Sequence, residues 1–160
     1  MNPLIIPGSE SSMVWSLLLA ALLGAVLGIE RSVAGKQAGM RTYSLVSLGS
    51  CLFVLVSTGA SEAFAVSFPG INPVQIAASV VVGIGFIGSG LLSLRNNGEH
   101  VELTTSSGIW VVAGIGMACG YGLYETAAAA AVISIAIFSA FLKIENGIRR
   151  RFSHPQNSNS

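Results

Sequence analysis

Five long stretches without a charged residue restrict this chain more than any other feature. They run from Glu10 to Glu30, Arg41 to Glu62, Glu62 to Arg95, Glu102 to Glu125 and Glu125 to Lys143, and hold 19, 20, 32, 22 and 17 residues. A helix crosses a hydrocarbon core about 30 Å thick with about 20 apolar residues, within a range of roughly 17 to 25. Each gap therefore accommodates one crossing. The spacing predicts an all-α, polytopic membrane helix bundle with five transmembrane helices, near 13–29, 43–57, 74–94, 108–123 and 126–144. The long third gap opens on turn chemistry, Phe68-Pro69-Gly70 and Asn72-Pro73, so its helix starts after Pro73. Composition points the same way: only 9% of the residues are charged, against roughly 25% in a soluble domain.

Five crossings sort the remaining charges. All eight basic residues (Arg31, Lys36, Arg41, Arg95, Lys143, Arg149, Arg150 and Arg151) fall on one side with four glutamates, and the other side holds Glu10, Glu62 and Glu125 alone. Lys and Arg accumulate on the cytoplasmic side, so the expected orientation is N-terminus out, C-terminus in. The first segment lacks the basic leader of a signal peptide and carries its positive charges after the apolar run, as a retained span does. The expected division is a leader over 1–12, a membrane domain over 13–144, and a basic end with a disordered tail over 145–160. The formal charge of +1 argues against a nucleic-acid partner.

Helices in lipid associate through close packing, which small residues permit. Candidate packing positions are Gly24 and Gly28, Gly83, Gly85, Gly88 and Gly90, and Gly116 and Gly120. They serve either the chain's own bundle or a homo-oligomer. Gly83 to Gly88 also fits GxGxxG, but a dinucleotide fingerprint needs a strand before it and a soluble unit around it. The glycines there either let helices touch or break the span so that carbonyls line a polar cavity. Trp15, Trp110, Tyr43, Tyr121 and Tyr124 lie at interface levels and read as anchors. At 1.5 Å per residue, Cys51 sits ~14 Å and Cys119 ~22 Å from the inner face. That mismatch disfavours a disulfide.

At Gly28-Ile29-Glu30-Arg31, at Gly35-Lys36-Gln37-Ala38-Gly39-Met40-Arg41-Thr42 and at Leu45-Val46, the chain resembles the MgtC/SapB family of bacterial membrane proteins. A second block is similar to the same family. It runs from Gly83 to Gly90 through Leu103-Thr104-Thr105 to Trp110, and ends at Gly116-Met117-Ala118-Cys119-Gly120. The resemblance covers roughly residues 13 to 142. It implies a multi-pass protein of the bacterial inner membrane, linked to magnesium limitation and virulence-type stress, of the membrane-domain type without the soluble C-terminal domain that some members carry. Glu102 stands where the family usually has Gly, and Ser106-Ser107 where it usually has two alanines, so a difference in the inner site is expected.

Topology alone brings both blocks to one membrane surface. The expected polar site there comprises Glu30, Arg31, Arg41, Thr42, Arg95, Glu102, Thr104 and Thr105. In one reading the hydroxyls merely cap the fourth span. In the other, Glu30 and Glu102, balanced by Arg41 and Arg95, form a ligand or partner contact. Magnesium is usually bound through one or two carboxylates with retained waters. The chain has no Asp and no Glu deep in a span, whereas ion routes are marked by intramembrane acids. A regulator acting through other membrane proteins is thus expected over a Mg²⁺ transporter, although carbonyls of a broken third span could carry an ion. No cofactor is expected. An enzyme is disfavoured: His100 and His154 lie in a loop and the tail, and neither HExxH nor CxxC spacing occurs.

Overall fold

The computed structural model describes residues 10–64, 72–93 and 103–152, and side chains within these except at 73, 91–93 and 142–152. It is all-helical over these residues: α1 Glu10–Val33, α2 Met40–Phe64, α3 Pro73–Ser93, α4 Leu103–Gly120 and α5 Tyr124–Phe152. In α1, α2, α4 and the Tyr124–Phe141 part of α5, length and apolar character suffice for a membrane crossing, and α3 has a shorter apolar stretch, Val74–Gly90. Over all its 21 residues, α3 spans about 31 Å, one core thickness.

Local chemistry sets the helix ends. After α1, Gly35 takes φ 67°, its N–H reaches the Ser32 carbonyl at 3.1 Å and the Lys36 N–H reaches the Arg31 carbonyl at 3.0 Å. This paired closure needs a left-handed residue, which glycine supplies without strain. Gly122, with φ 74°, closes α4 in the same way. Asn72 caps α3, its Oδ1 accepting the Val74 N–H at 3.0 Å, and Pro73 occupies the first helical position, where no N–H is missed.

The helices alternate in direction. Gly28 near the end of α1 abuts Met40 at the start of α2, and Ser106 near the start of α4 donates to the Gly88 carbonyl near the end of α3 at 3.4 Å. At the opposite end, the Ser16 hydroxyl of α1 shares a 2.8 Å hydrogen bond with the Tyr124 hydroxyl at the start of α5. α4 is central and touches all four other helices, while α3, among the described residues, packs only on α2 and α4.

Glycine makes the central contacts possible. A Cβ at Gly24 would come within 2.6 Å of the Tyr43 carbonyl oxygen, one at Gly120 within 2.7 Å of Val54, and one at Gly116 would overlap the backbone of Ser47. Backbones thus lie against backbones where α1, α2 and α4 meet. α3 differs from expectation. Gly83, Gly85 and Gly90 have nothing within 4 Å of a Cβ, and only Gly88 meets a neighbour, Ser106 at 3.7 Å. The helix runs unbroken from Pro73 to Ser93, so the break that would expose carbonyls does not occur: isolated glycines weaken a helix without ending it.

Some helices run beyond the expected crossings. α4 begins at Leu103, five residues before the expected 108, because Thr104 to Ser107 join the helix: Ser107 donates to the Leu103 carbonyl at 2.9 Å. α5 continues to Phe152, eight residues past the expected 144, since no proline lies between them and Gly147 weakens a helix without ending it. Tyr43, read as an interface anchor, is fully buried, while Trp15 and Trp110 are exposed. Cys51 and Cys119 are both buried and free. Their levels differ less than expected, for a Cβ at Gly120 would lie 2.9 Å from the Cys51 carbonyl oxygen; counting rise alone treats both helices as upright.

Candidate functional site

The end of the bundle where α1 finishes and α2 and α4 begin holds a buried charge. Arg31 is 1% exposed. An isolated charge removed from water costs far more than its neighbours ordinarily return, so it must be paired. Its Nη1 lies 3.8 Å from Glu30 Oε2, and its Nη2 donates to Thr105 Oγ1 at 3.4 Å. The guanidinium carbon stands 4.6 Å from the centre of the Phe138 ring, within the range of a cation–π contact. Beside it the Tyr43 hydroxyl donates to the Thr105 carbonyl at 3.5 Å. Gly108 leaves the room: a Cβ there would collide with the Tyr43 hydroxyl and come within 2.9 Å of Phe138. Four helices therefore converge on one guanidinium.

The pairing is incomplete. Arg31 Nε and Glu30 Oε2 are both buried without a hydrogen-bond partner among the described residues, and so is Ser47 Oγ one turn beyond Tyr43. In a low-dielectric interior such groups are costly. Beyond the ion pair, Arg31 Nε and Glu30 Oε2 thus keep hydrogen-bonding capacity that the described residues do not use. Among the described residues no three His, Cys, Asp or Glu are grouped to hold a metal ion.

The structure brings together Glu30, Arg31 and Thr105 of the expected set. Arg41 and Thr104 are exposed and Thr42 is half-buried. Arg95 and Glu102 lie outside the described residues, and with them the expected balancing of Glu102 by Arg95. Among the hydroxyls at the start of α4, Thr105 accepts from Arg31, Ser106 reaches across to α3 and Ser107 donates back to the Leu103 carbonyl. Sequence reasoning missed Tyr43, Gly108 and Phe138. The first two were open to it, since Gly108 follows Thr105 by three residues on the same helix face. Phe138 carried no such signal, because one aromatic in an apolar span looks like its lipid-facing neighbours.

The sequence profile of the MgtC family matches residues 17–147. The chain is 39% identical over 141 residues to the putative magnesium transporter YhiD of Escherichia coli (strain K12), an alignment covering 88% of this chain and 65% of YhiD. It is 35% identical over 154 residues to protein SrpB of Synechococcus elongatus, covering 91% and 84% of the two chains. With protein MgtC of Salmonella typhimurium (strain LT2) it shares 39% identity over 120 residues, or 75% of this chain and 48% of that one. It thus spans from about half to just under two thirds of MgtC and YhiD. No solved structure matches it.

Proposed function

The chain belongs to the MgtC family, and from that premise we propose that it is a non-catalytic regulator in the bacterial inner membrane, linked to magnesium homeostasis and acting through contacts with other membrane proteins. One observation carries this reading: α1, α2 and α4 pack too closely for a passage where they cross, and the cavity that the described residues leave, between α2 and α3, is lined almost wholly by apolar groups. Where α1, α2 and α4 cross, Gly24, Gly28, Gly116 and Gly120 hold backbones too close for even a methyl group. The polar cluster is covered on one side by Phe138. An ion path needs a hydrated or carbonyl-lined passage, and the unbroken α3 offers no freed carbonyls. The cluster's carboxylate, Glu30, faces a guanidinium 3.8 Å away, which disfavours a divalent cation at the same oxygen.

The second reading is a Mg²⁺ transporter, favoured by the name of the YhiD relative. Purified protein in liposomes holding a magnesium-sensitive dye separates the two. The regulator reading expects influx no faster than in protein-free vesicles. Saturable uptake that disappears in Glu30→Gln would establish the transporter instead.

A further inference from the structure

α5 outruns the bundle. Phe138 marks the level of Arg31, and α1 ends only two residues after Arg31, at Val33, while α4 begins two residues before Thr105, at Leu103. α5 continues from Phe138 to Phe152 without a break. At 1.5 Å per residue this overhang is ~21 Å long, whereas the interfacial layer of each leaflet is only about 5–8 Å deep. An upright helix would leave the membrane well before its end.

Its residues are sorted by face. Phe141, Ile144, Ile148 and Phe152 recur at intervals of three and four and share one stripe of the helix. Lys143 and Arg150 fall on the opposite side, with Arg149 and Arg151 on the two flanks. Against these four cations the overhang has one acid, Glu145, which sits at the margin of the apolar stripe, four residues after Phe141 and three before Ile148. Lys36 and the exposed Arg41 lie at the same end of the bundle. An apolar stripe flanked by arginines is the pattern of a helix lying in a membrane interface. Basic residues near such a surface each gain about 1 kcal/mol from anionic lipid.

We propose that the overhang of α5, from Lys143 to Phe152, lies obliquely in the headgroup layer of its own leaflet and gathers anionic phospholipids around Lys143, Arg149, Arg150 and Arg151. This does not depend on whether the chain regulates or transports. The occupant follows from charge complementarity, and the apolar stripe sets which side meets the acyl chains.

Spin labels at Ile148→Cys and Arg150→Cys, placed singly in the full chain with Cys51 and Cys119 replaced by Ala, test the idea in liposomes. In vesicles with about one quarter phosphatidylglycerol, the label at 148 should be shielded from a water-soluble relaxation agent and the label at 150 accessible. Shielding at 148 should fall at least twofold in pure phosphatidylcholine, and equally in the triple variant Arg149→Gln, Arg150→Gln, Arg151→Gln. Equal accessibility at both positions in phosphatidylglycerol vesicles overturns the proposal. So does shielding at 148 indifferent to lipid charge, or accompanied by dipolar coupling between labels, which would mean that a second copy covers the stripe. Incorporation of the triple variant into the vesicles at the same yield as the parent chain, and its monodispersity in detergent, serve as the control for folding.

Discussion

The Arg31 guanidinium carbon lies 4.6 Å from the centre of the Phe138 ring, joining the end of α1 to α5 across a site where Thr105 of α4 also binds it. Removing the ring while keeping an apolar group, as in Phe138→Leu, forfeits a cation–π contact of about 0.5–2 kcal/mol. Arg31→Met is expected to cost more, about 3 kcal/mol, because it strands Glu30 without its counter-charge. Adding Glu30→Gln to Arg31→Met should recover part of that loss. Reversible unfolding in detergent micelles, arranged as a double-mutant cycle, measures the coupling. Independent, additive losses for Glu30 and Arg31 would show that the ion pair contributes nothing.

The glycines divide into two groups with opposite expectations. At Gly116 a methyl group meets the backbone of Ser47, which cannot rotate away, so Gly116→Ala should destabilise by about 1–3 kcal/mol or more through overpacking. Gly85 has nothing within 4 Å, and Gly85→Ala should be neutral or stabilise by up to about 1 kcal/mol through helix propensity. The readout is the midpoint of heat-induced loss of the monodisperse peak in size-exclusion chromatography. Equal damage from Gly85→Ala would place a packing partner on α3.

The five helices were legible because each depends on one local quantity, the length of an uncharged run, and lipid leaves helices as the only single-chain solution apart from a closed barrel. The meeting of Glu30, Arg31 and Thr105 at one end followed from the same alternation. What pairs with Arg31 did not follow. Its contact with Phe138 depends on the rotation of α5 about its own axis, and an apolar helix shows little amphipathic asymmetry from which to read rotation. Likewise the sequence shows that Gly83 and Gly116 are both small, but only the position of α3 at the edge of the bundle and of α4 at its centre separates them. Helix ends beyond the lipid were underestimated for a related reason: charge marks where a helix leaves hydrocarbon, not where it stops, as Phe152 demonstrates for α5.

The turn after α1 gives a sharper test of backbone chemistry. Gly35 has φ 67° and open space around it, so a side chain there meets no clash and any cost is conformational. Gly35→Ala should destabilise by about 1 kcal/mol, and Gly35→Asn by less, since Asn tolerates the left-handed region. The same unfolding measurement ranks the three. If Ala and Asn are equally harmful, the loss arises from something other than φ.

Orientation rests on charge and parity together. Alternating helices place the ends of α1, α3 and α5 on one side and their starts on the other. The side with the ends holds Arg31, Lys36, Arg41 and the C-terminal arginines, and the side with the starts holds Glu10, Glu62 and Glu125. Basic residues in short loops are retained in the cytoplasm, so the N-terminus should face outward and the C-terminus inward. In bacteria, alkaline phosphatase fused before Glu10 or inserted near Glu62 should be active, and green fluorescent protein fused after Ser160 should fluoresce. Replacing Arg31, Lys36 and Arg41 by Gln should raise the fraction of inverted molecules, because the first loop then loses its positive charge. Termini reporting the same compartment would mean that one helix does not cross, and α3, with its shorter apolar stretch, would be the one to examine.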